Sequence, residues 1–325
     1  HVKRHSFPTR RSSDLPRREL DDILKRGAER AGAQFLAPAR FDAPLLDGTG
    51  RVVGATLRTP NGPREVGARW VVLATGAVPQ ALIAAGVCDR RTPSGVALRG
   101  YIQHPTLGQR LKSLEVVWHK RLRKGYGWIF PAPGGVFNIG VGLAHSHAQT
   151  GTDGRASMAD VNLRELFRTF CEIHEPARQL LAEGQWTSPL KGAPLRCSLE
   201  GAQLSRPGLL VAGEAAGSTY AFTGEGIGKA LETGLLAAEA LMSGADDAAV
   251  SAGYAAAIGA LKPRFDLYER ANHVNDHPWL ADLVIWRARR DARILRRMAG
   301  VLEETGNPGN LVSLRGIFKL FVPAR

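Results

Sequence analysis

The residues best suited by type and spacing to chemistry lie between 209 and 234, in the string LLVAGEAAGSTYAFTGEGIGKALETG. An apolar run, Leu209-Leu210-Val211-Ala212, ends in Gly213 and is followed by Glu214 and the small residues Ala215, Ala216 and Gly217. A second cluster, Gly224, Glu225, Gly226 and Ile227, then opens a helical pattern over about 225–243. Small residues let main chain approach a flat or phosphorylated ligand, and free N–H groups at a helix start favour negative charge. A carboxylate at a strand end can accept hydrogen bonds from sugar-like hydroxyls. A tightly packed strand-to-helix turn without a ligand uses the same residue types. The acidic strand end and the second glycine cluster together favour the ligand reading.

A second pattern is Gly125-Tyr126-Gly127-Trp128-Ile129-Phe130-Pro131. Alternation along a strand puts Tyr126, Trp128 and Phe130 on one face. Three large rings in a row can wall a long apolar cavity, and they can equally be plain core. For proton transfer, His104 and Tyr126 are candidates by residue type alone.

Elements must hold these residues. Residues 18–32 have apolar positions at helical spacing, and Gly32 gives a stop. Residues 34–41 and 51–58 read as strands, with a turn at Asp47-Gly48-Thr49-Gly50 and another at Asn61-Gly62. The run 70–77 is apolar on both faces, as in a strand buried in a parallel sheet. Residues 97–145 suggest an antiparallel sheet with strands at 116–118, 127–130 and 137–143 and a turn at Pro133-Gly134-Gly135. A polar loop at 146–157, a helix over 158–183 and a buried strand at 209–213 follow, and 248–325 reads as helical with an apolar tail at 317–321.

The 209–234 segment resembles flavoproteins of the geranylgeranyl reductase family, within the p-hydroxybenzoate-hydroxylase-like FAD superfamily. The resemblance implies that Gly213, Glu214, Ala215 and Gly217 meet the ribityl chain of FAD, and that Gly224, Glu225, Gly226 and Ile227 offer amides to the flavin's pyrimidine edge. Glu214 stands where that family usually has Asp. The ring-bearing segment resembles the family's YxWxFP motif, which implies that Tyr126, Trp128 and Phe130 line a substrate cavity. Arg17-x-x-Leu20-Asp21 with Ala28 and Gly32-Ala33 resembles a family helix whose Arg lies near the cofactor. Leu73-Ala74-Thr75-Gly76-Ala77 resembles the strand end that carries Thr75 and Gly76 toward it. The similarity runs from Pro16 to about Leu241, in the family's order.

The implied fold is α/β, with a Rossmann-like FAD-binding domain, an antiparallel-sheet substrate domain and a helical C-terminus. Residues 16–96 and 186–247 form the first, 97–185 the second and 248–325 the third. No GxGxxG loop is present, so the first βαβ unit of the dinucleotide fold is expected to be missing. Residues 5–15, HSFPTRRSSDL, resemble a translated sequencing-library adapter, and 1–15 are read as a non-native segment joined to a truncated gene, impaired in FAD binding. The activity implied by resemblance is reduction of carbon–carbon double bonds in a polyprenyl substrate by reduced flavin, with NAD(P)H as a possible electron donor. A flavin monooxygenase or halogenase on the same scaffold is the alternative.

Composition narrows the field further. At 325 residues, 44% hydrophobic and 22% charged, the chain has ample core and is neither disordered nor fibrous. Its three cysteines have no metal or disulfide spacing, which suits a reduced, cytoplasmic setting, and no metal is expected. The formal charge is +13, of which +3 lies in residues 1–15. Arg287, Arg289, Arg290, Arg293, Arg296 and Arg297 face only Asp291, with Leu283, Val284, Trp286, Ile294, Leu295 and Met298 interleaved. That stretch could lie on an anionic membrane surface as a peripheral binding module, or be a solvated helix face. No nucleic-acid motif accompanies the charge, so nucleic acid is not an expected partner.

Overall fold

The computed structural model describes residues 17–89, 92–122, 125–144, 149–150, 156–157, 162–244 and 246–272, with scattered positions between 282 and 306. The adapter-like string and the 317–321 tail lie outside the described residues, as do Val284, Arg289, Arg290, Leu295, Arg297 and Met298 of the basic stretch. In chain order, α1 (Arg17–Arg30) precedes β1 (Arg40–Leu46), β2 (Val52–Thr59), β3 (Gly62–Gly67) and β4 (Val71–Leu73). The short helix α2 (Gln80–Ala84), β5 (Gly95–Gln103) and α3 (Leu107–Arg110) follow. Next come β6 (Glu115–Val117), β7 (Gly125–Ala132), β8 (Val136–Ala144), β9 (Gln149–Thr150) and β10 (Ala156–Ser157). Helices α4 (Leu163–Ile173) and α5 (Glu175–Glu183) lead to β11 (Gln185–Leu195), β12 (Ser205–Arg206) and β13 (Leu209–Val211), and the described chain continues through α6 (Ile227–Met242) and α7 (Asp247–Asn272).

Two sheets matter for the site. β13 pairs parallel with β4, Leu209 opposite Val71 and Val211 opposite Leu73, and β12 closes its other edge antiparallel. The second sheet is antiparallel, five-stranded, in the order β11-β5-β8-β7-β6. It extends through 185–195, past the edge expected at 185, and the prolines 189 and 194 are accommodated because β11 is an outer strand.

The antiparallel sheet buries one face under α4 and α5. Leu98, Ile102, Ile129, Phe137, Ile139 and Val141 meet Phe167, Phe170 and Leu180 there. The parallel pair is packed on both sides, by Leu82, Val87 and Cys88 on one and by Ala237, Tyr254 and Ile258 on the other. All three cysteines are buried and none forms a disulfide. One flank of the smaller sheet is different. β4 is its edge strand, Val72 is 41% exposed, Leu231 and Leu235 of α6 are exposed, and α1 buries no residue.

Several expected elements differ: the loop expected at 146–157 holds the paired strands β9 and β10, and two further differences have a local cause. The strand placed at 34–41 begins only at Arg40, because Pro38 has no amide to give a ladder. The helix expected over 158–183 is two, with 158–161 outside the described residues. His174 ends α4 and begins α5 in an extended conformation, as the residue pair before Pro176 demands a break that Pro in a first turn then tolerates.

Gly127 of β7 faces the helices, and a Cβ there would collide with the Phe170 ring. Gly127→Ala is therefore expected to cost about 1–3 kcal/mol by overpacking. Combined with Phe170→Leu, the loss should be smaller than the two single losses together, as measured by urea denaturation.

Candidate functional site

Parallel pairing brings two distant turns together. The amide of Ala212 donates to the carbonyl of Leu73 at 3.0 Å, which sets Ala74-Thr75-Gly76 beside Gly213 and Glu214 at the carboxyl ends of adjacent strands. Ligands of open α/β sheets bind in the crevice at such ends. Thr75 is exposed, and a Cβ on Gly76 (φ 76°) would meet nothing within 4 Å. Gly213 also has a positive φ, and its amide donates to Thr233 Oγ1 of α6 at 2.9 Å, so the helix fixes the corner.

Glu214 is largely buried. Burial pushes its carboxyl above the ordinary value of 4.5, opposed by the Arg196 backbone amide, the Thr219 hydroxyl and the charges of Arg17 and Arg196. Thr219 Oγ1 donates to Glu214 at 3.2 Å. Arg17 thus lies within electrostatic reach of Glu214 while its guanidinium pairs with Asp21 at 3.1 Å. The turn is underlain by Ser198 and Leu199, both non-glycine residues at positive φ, whose amides donate to Thr219 and Gly217 carbonyls.

The second glycine cluster is tied to the first through the same threonine. A Cβ on Gly226 would come within 2.5 Å of Thr219 Oγ1, and one on Gly224 (φ 71°) within 2.7 Å of the Tyr126 hydroxyl. Gly226 caps α6 without a side chain, and the Glu225 carboxylate accepts the amide of Gly228 at 2.9 Å. That anionic group already occupies part of the helix start where Ile227 begins.

The rings form one row. Tyr126 and Trp128 have centroids 6.0 Å apart, as do Trp128 and Phe130. Trp118 extends the row, 5.7 Å from Tyr126 and 6.3 Å from Phe222. The row reaches the glycine corner through Tyr126, whose hydroxyl donates to the Thr223 carbonyl at 3.0 Å. Trp118 Nε1 is buried with no hydrogen-bond partner among the described residues, so the junction of wall and corner carries an unspent donor.

Of the proton-donor candidates, neither is suited. His104 Nδ1 accepts the amides of Thr106 and Leu107, and its Nε2 faces Glu183 at 3.3 Å, so both nitrogens serve the start of α3 and its contact with α5. Burial raises the Tyr126 hydroxyl well above the ordinary tyrosine value of 10.0, and its proton is engaged with Thr223. Trp118, Phe222, Thr219 and the Arg196 amide were not foreseen. Trp118 had a usable signal, being two residues after Val116 on the neighbouring strand and on the same face. The Arg196 amide had none, since any residue supplies an N–H.

No family model matches the chain. It is 32% identical over 249 residues to menaquinone reductase of Mycolicibacterium smegmatis, covering 74% of this chain and 56% of that protein. Digeranylgeranylglycerophospholipid reductase 1 of Methanopyrus kandleri is 28% identical over 250 residues, 74% of this chain and 60% of that one. Among solved structures, a geranylgeranyl bacteriochlorophyll reductase-like protein of Thermoplasma acidophilum superposes with a TM-score of 0.62 at 21% identity, over 94% of this chain and 71% of that one. In sequence the chain is similar to reductases named for menaquinone and for a digeranylgeranyl phospholipid, and in fold to a geranylgeranyl reductase-like protein. It spans a little over half the length of the curated relatives it matches. The fold is wider than the reactions it serves, since the flavin-dependent brominase Bmp2 superposes with a TM-score of 0.60 at 15% identity, over 94% of this chain and 74% of that one.

A flavin fits the residues present. Open space lies over Gly76, Thr75 is accessible, Glu214 is a half-desolvated acceptor, and Trp118 Nε1 is an unspent donor where the rings begin. The carboxyl of Glu214 gives a test of the corner. Below 4.5 it is protonated folded and unfolded, and the stability it allows is fully present. As pH rises the unfolded chain ionises first, and stability is lost until the raised folded value is passed. Glu214→Gln should flatten that decline, seen as urea midpoints that fall less than wild type between the acid and neutral ranges.

Proposed function

We propose that the complete protein is an FAD-dependent reductase of carbon–carbon double bonds in an isoprenoid-bearing substrate, with Arg17, Thr75, Gly76, Gly213, Glu214, Ala215, Gly217, Gly224, Glu225, Gly226 and Ile227 around the flavin. The observation that carries this reading is the tether between the ring row and the glycine corner, Tyr126 to the carbonyl of Thr223, beside Gly224. The kinship with reductases named for menaquinone and for a digeranylgeranyl phospholipid supports it.

When bound, the flavin supplies hydride for the alkene, and the chain supplies position and shielding. Gly76 lets main chain lie against the cofactor, since it has no side chain to stand in the open space there. Glu214 accepts hydroxyl hydrogen bonds, and the burial that disfavours its charge is offset in part by the Arg196 amide, Thr219 and Arg17. Tyr126, Trp128 and Phe130 form the apolar wall along which an isoprenoid chain lies and from which water is excluded. NAD(P)H is the proposed donor for re-reduction. For the basic C-terminal stretch, attachment to an anionic membrane surface is the proposed role, and no helix among the described residues is long and apolar enough to cross a membrane.

The kinship in fold with a brominase keeps a second reading in view, oxygen chemistry at the same flavin. Anaerobic assay separates the two. The complete, FAD-loaded protein should saturate an isoprenoid alkene without oxygen, and Trp128→Ala should raise KM for long-chain substrate about tenfold or more through loss of the buried ring's contact. Product formed only with stoichiometric oxygen consumption would replace the reductase by a monooxygenase or halogenase.

A further inference from the structure

Asn138 is an unusual residue for its place. It sits in β8, the middle strand of the five-stranded sheet, between the fully buried Phe137 and Ile139, and asparagine is depleted in strands. Residues directly opposite in an antiparallel ladder point to the same side. Asn138 is opposite Phe130, Gly140 opposite Trp128 and Gly142 opposite Tyr126. β8 thus gives the ring-bearing face one amide and two positions without a side chain.

The Trp128 indole lies in that gap. A Cβ on Gly140 would strike its Cζ2 and Cε2 atoms, and one on Gly142 would come within 3.4 Å of Cζ3. The ring therefore runs along β8, with its benzo edge toward Gly142 and its nitrogen edge toward residue 138. There Nε1 donates to Asn138 Oδ1 at 3.0 Å. An indole N–H can only donate, which fixes the amide with its oxygen toward Trp128. Trp128 is 9% exposed, so solvent is a poor substitute for that acceptor. Trp118 in the same row has no acceptor among the described residues, so the bond is particular to the ring at the centre of the row.

We propose that Asn138 is the positioning residue of the substrate wall: its amide oxygen pins the Trp128 indole flat in the glycine gap, and the flat indole is what admits a long isoprenoid chain. This rests on the proposed isoprenoid site and names the residue that sets its depth. The two glycines make room for the ring to lie down but hold it only by contact. Without the acceptor the buried N–H turns to find another oxygen, and the ring swings off β8 into the space along the row. A chain of two isoprene units lays less of its length on that wall than a chain of four, and loses less.

The test uses the complete, FAD-loaded protein with geranylgeraniol and geraniol, and 15N-labelled indoles read by NMR. Trp128→Phe identifies the Trp128 resonance by its absence. In wild type that indole N–H is expected to exchange with solvent at least about tenfold more slowly than in Asn138→Leu, whereas Asn138→Asp, which retains an acceptor oxygen, keeps the protection. Asn138→Ala is the second variant should Leu not fold. Asn138→Leu should raise KM for geranylgeraniol about fivefold or more with kcat within about twofold, and raise KM for geraniol less. It should have no effect where Trp128 is already Phe, a ring with no N–H. An indole unaffected by loss of the amide, or a KM that rises equally for both alcohols or rises again in the Trp128→Phe background, overturns the inference and leaves the isoprenoid reading standing. If wild type takes neither alcohol, that reading falls and chain selection with it, and indole exchange alone decides whether Asn138 positions the ring.

Discussion

Three residues of parallel ladder hold the arrangement together. β4 and β13 are far apart in sequence, and their pairing alone sets Thr75-Gly76 beside Gly213-Glu214. Packing on both faces keeps that ladder in register, with Tyr254 donating from α7 to the Val211 carbonyl at 2.7 Å. A slip by one residue would turn Leu73 and Val211 away from their cores and separate the two turns. Everything at the corner inherits its position from that short contact. The larger sheet joins through Tyr126 and the loop at Thr223, so wall and corner form one surface.

Glycine sets the shape of the larger sheet as much as its rings do. Trp128 lies over Gly140, Phe170 over Gly127 and Trp186 over Gly100, each on a position where a Cβ would collide with the ring. Large side chains standing upright on a pleated surface would make a comb. Laid on glycine seats, they make smooth walls on both sides. The cost is backbone entropy at each seat, which the ring's buried area offsets. Flatness is therefore encoded by pairs of residues, neither of which carries the signal alone.

Much of this was legible in the residues. The alternation Tyr126, Trp128, Phe130 indicated a shared face, and the structure has them in one row. The doubly apolar runs around Val71–Leu73 and Leu209–Val211 indicated buried parallel strands, and they pair with each other. What escaped was whatever depends on backbone atoms or on neighbours distant in sequence. The Arg196 amide at Glu214 has no residue-type signature, and Ser198 and Leu199 give no hint of their left-handed conformation. The helix over 158–183 was read through Pro176 because apolar spacing survives the break, while the hydrogen-bond ladder does not. Nor did the glycine cluster announce that the Glu225 carboxylate accepts the Gly228 amide, since that bond depends on how the first turn of α6 closes.

The two sheets end very differently. β11, one of the two outer strands of the larger sheet, carries Pro189, Lys191 and Pro194, which leave little for another strand to pair with. β4 has neither proline nor charge, and its own Val72 is open to solvent. Of these two sheets, the smaller is accordingly the one with a plain apolar edge. A second strand meets three free apolar residues at β4 and two prolines with a charge at β11.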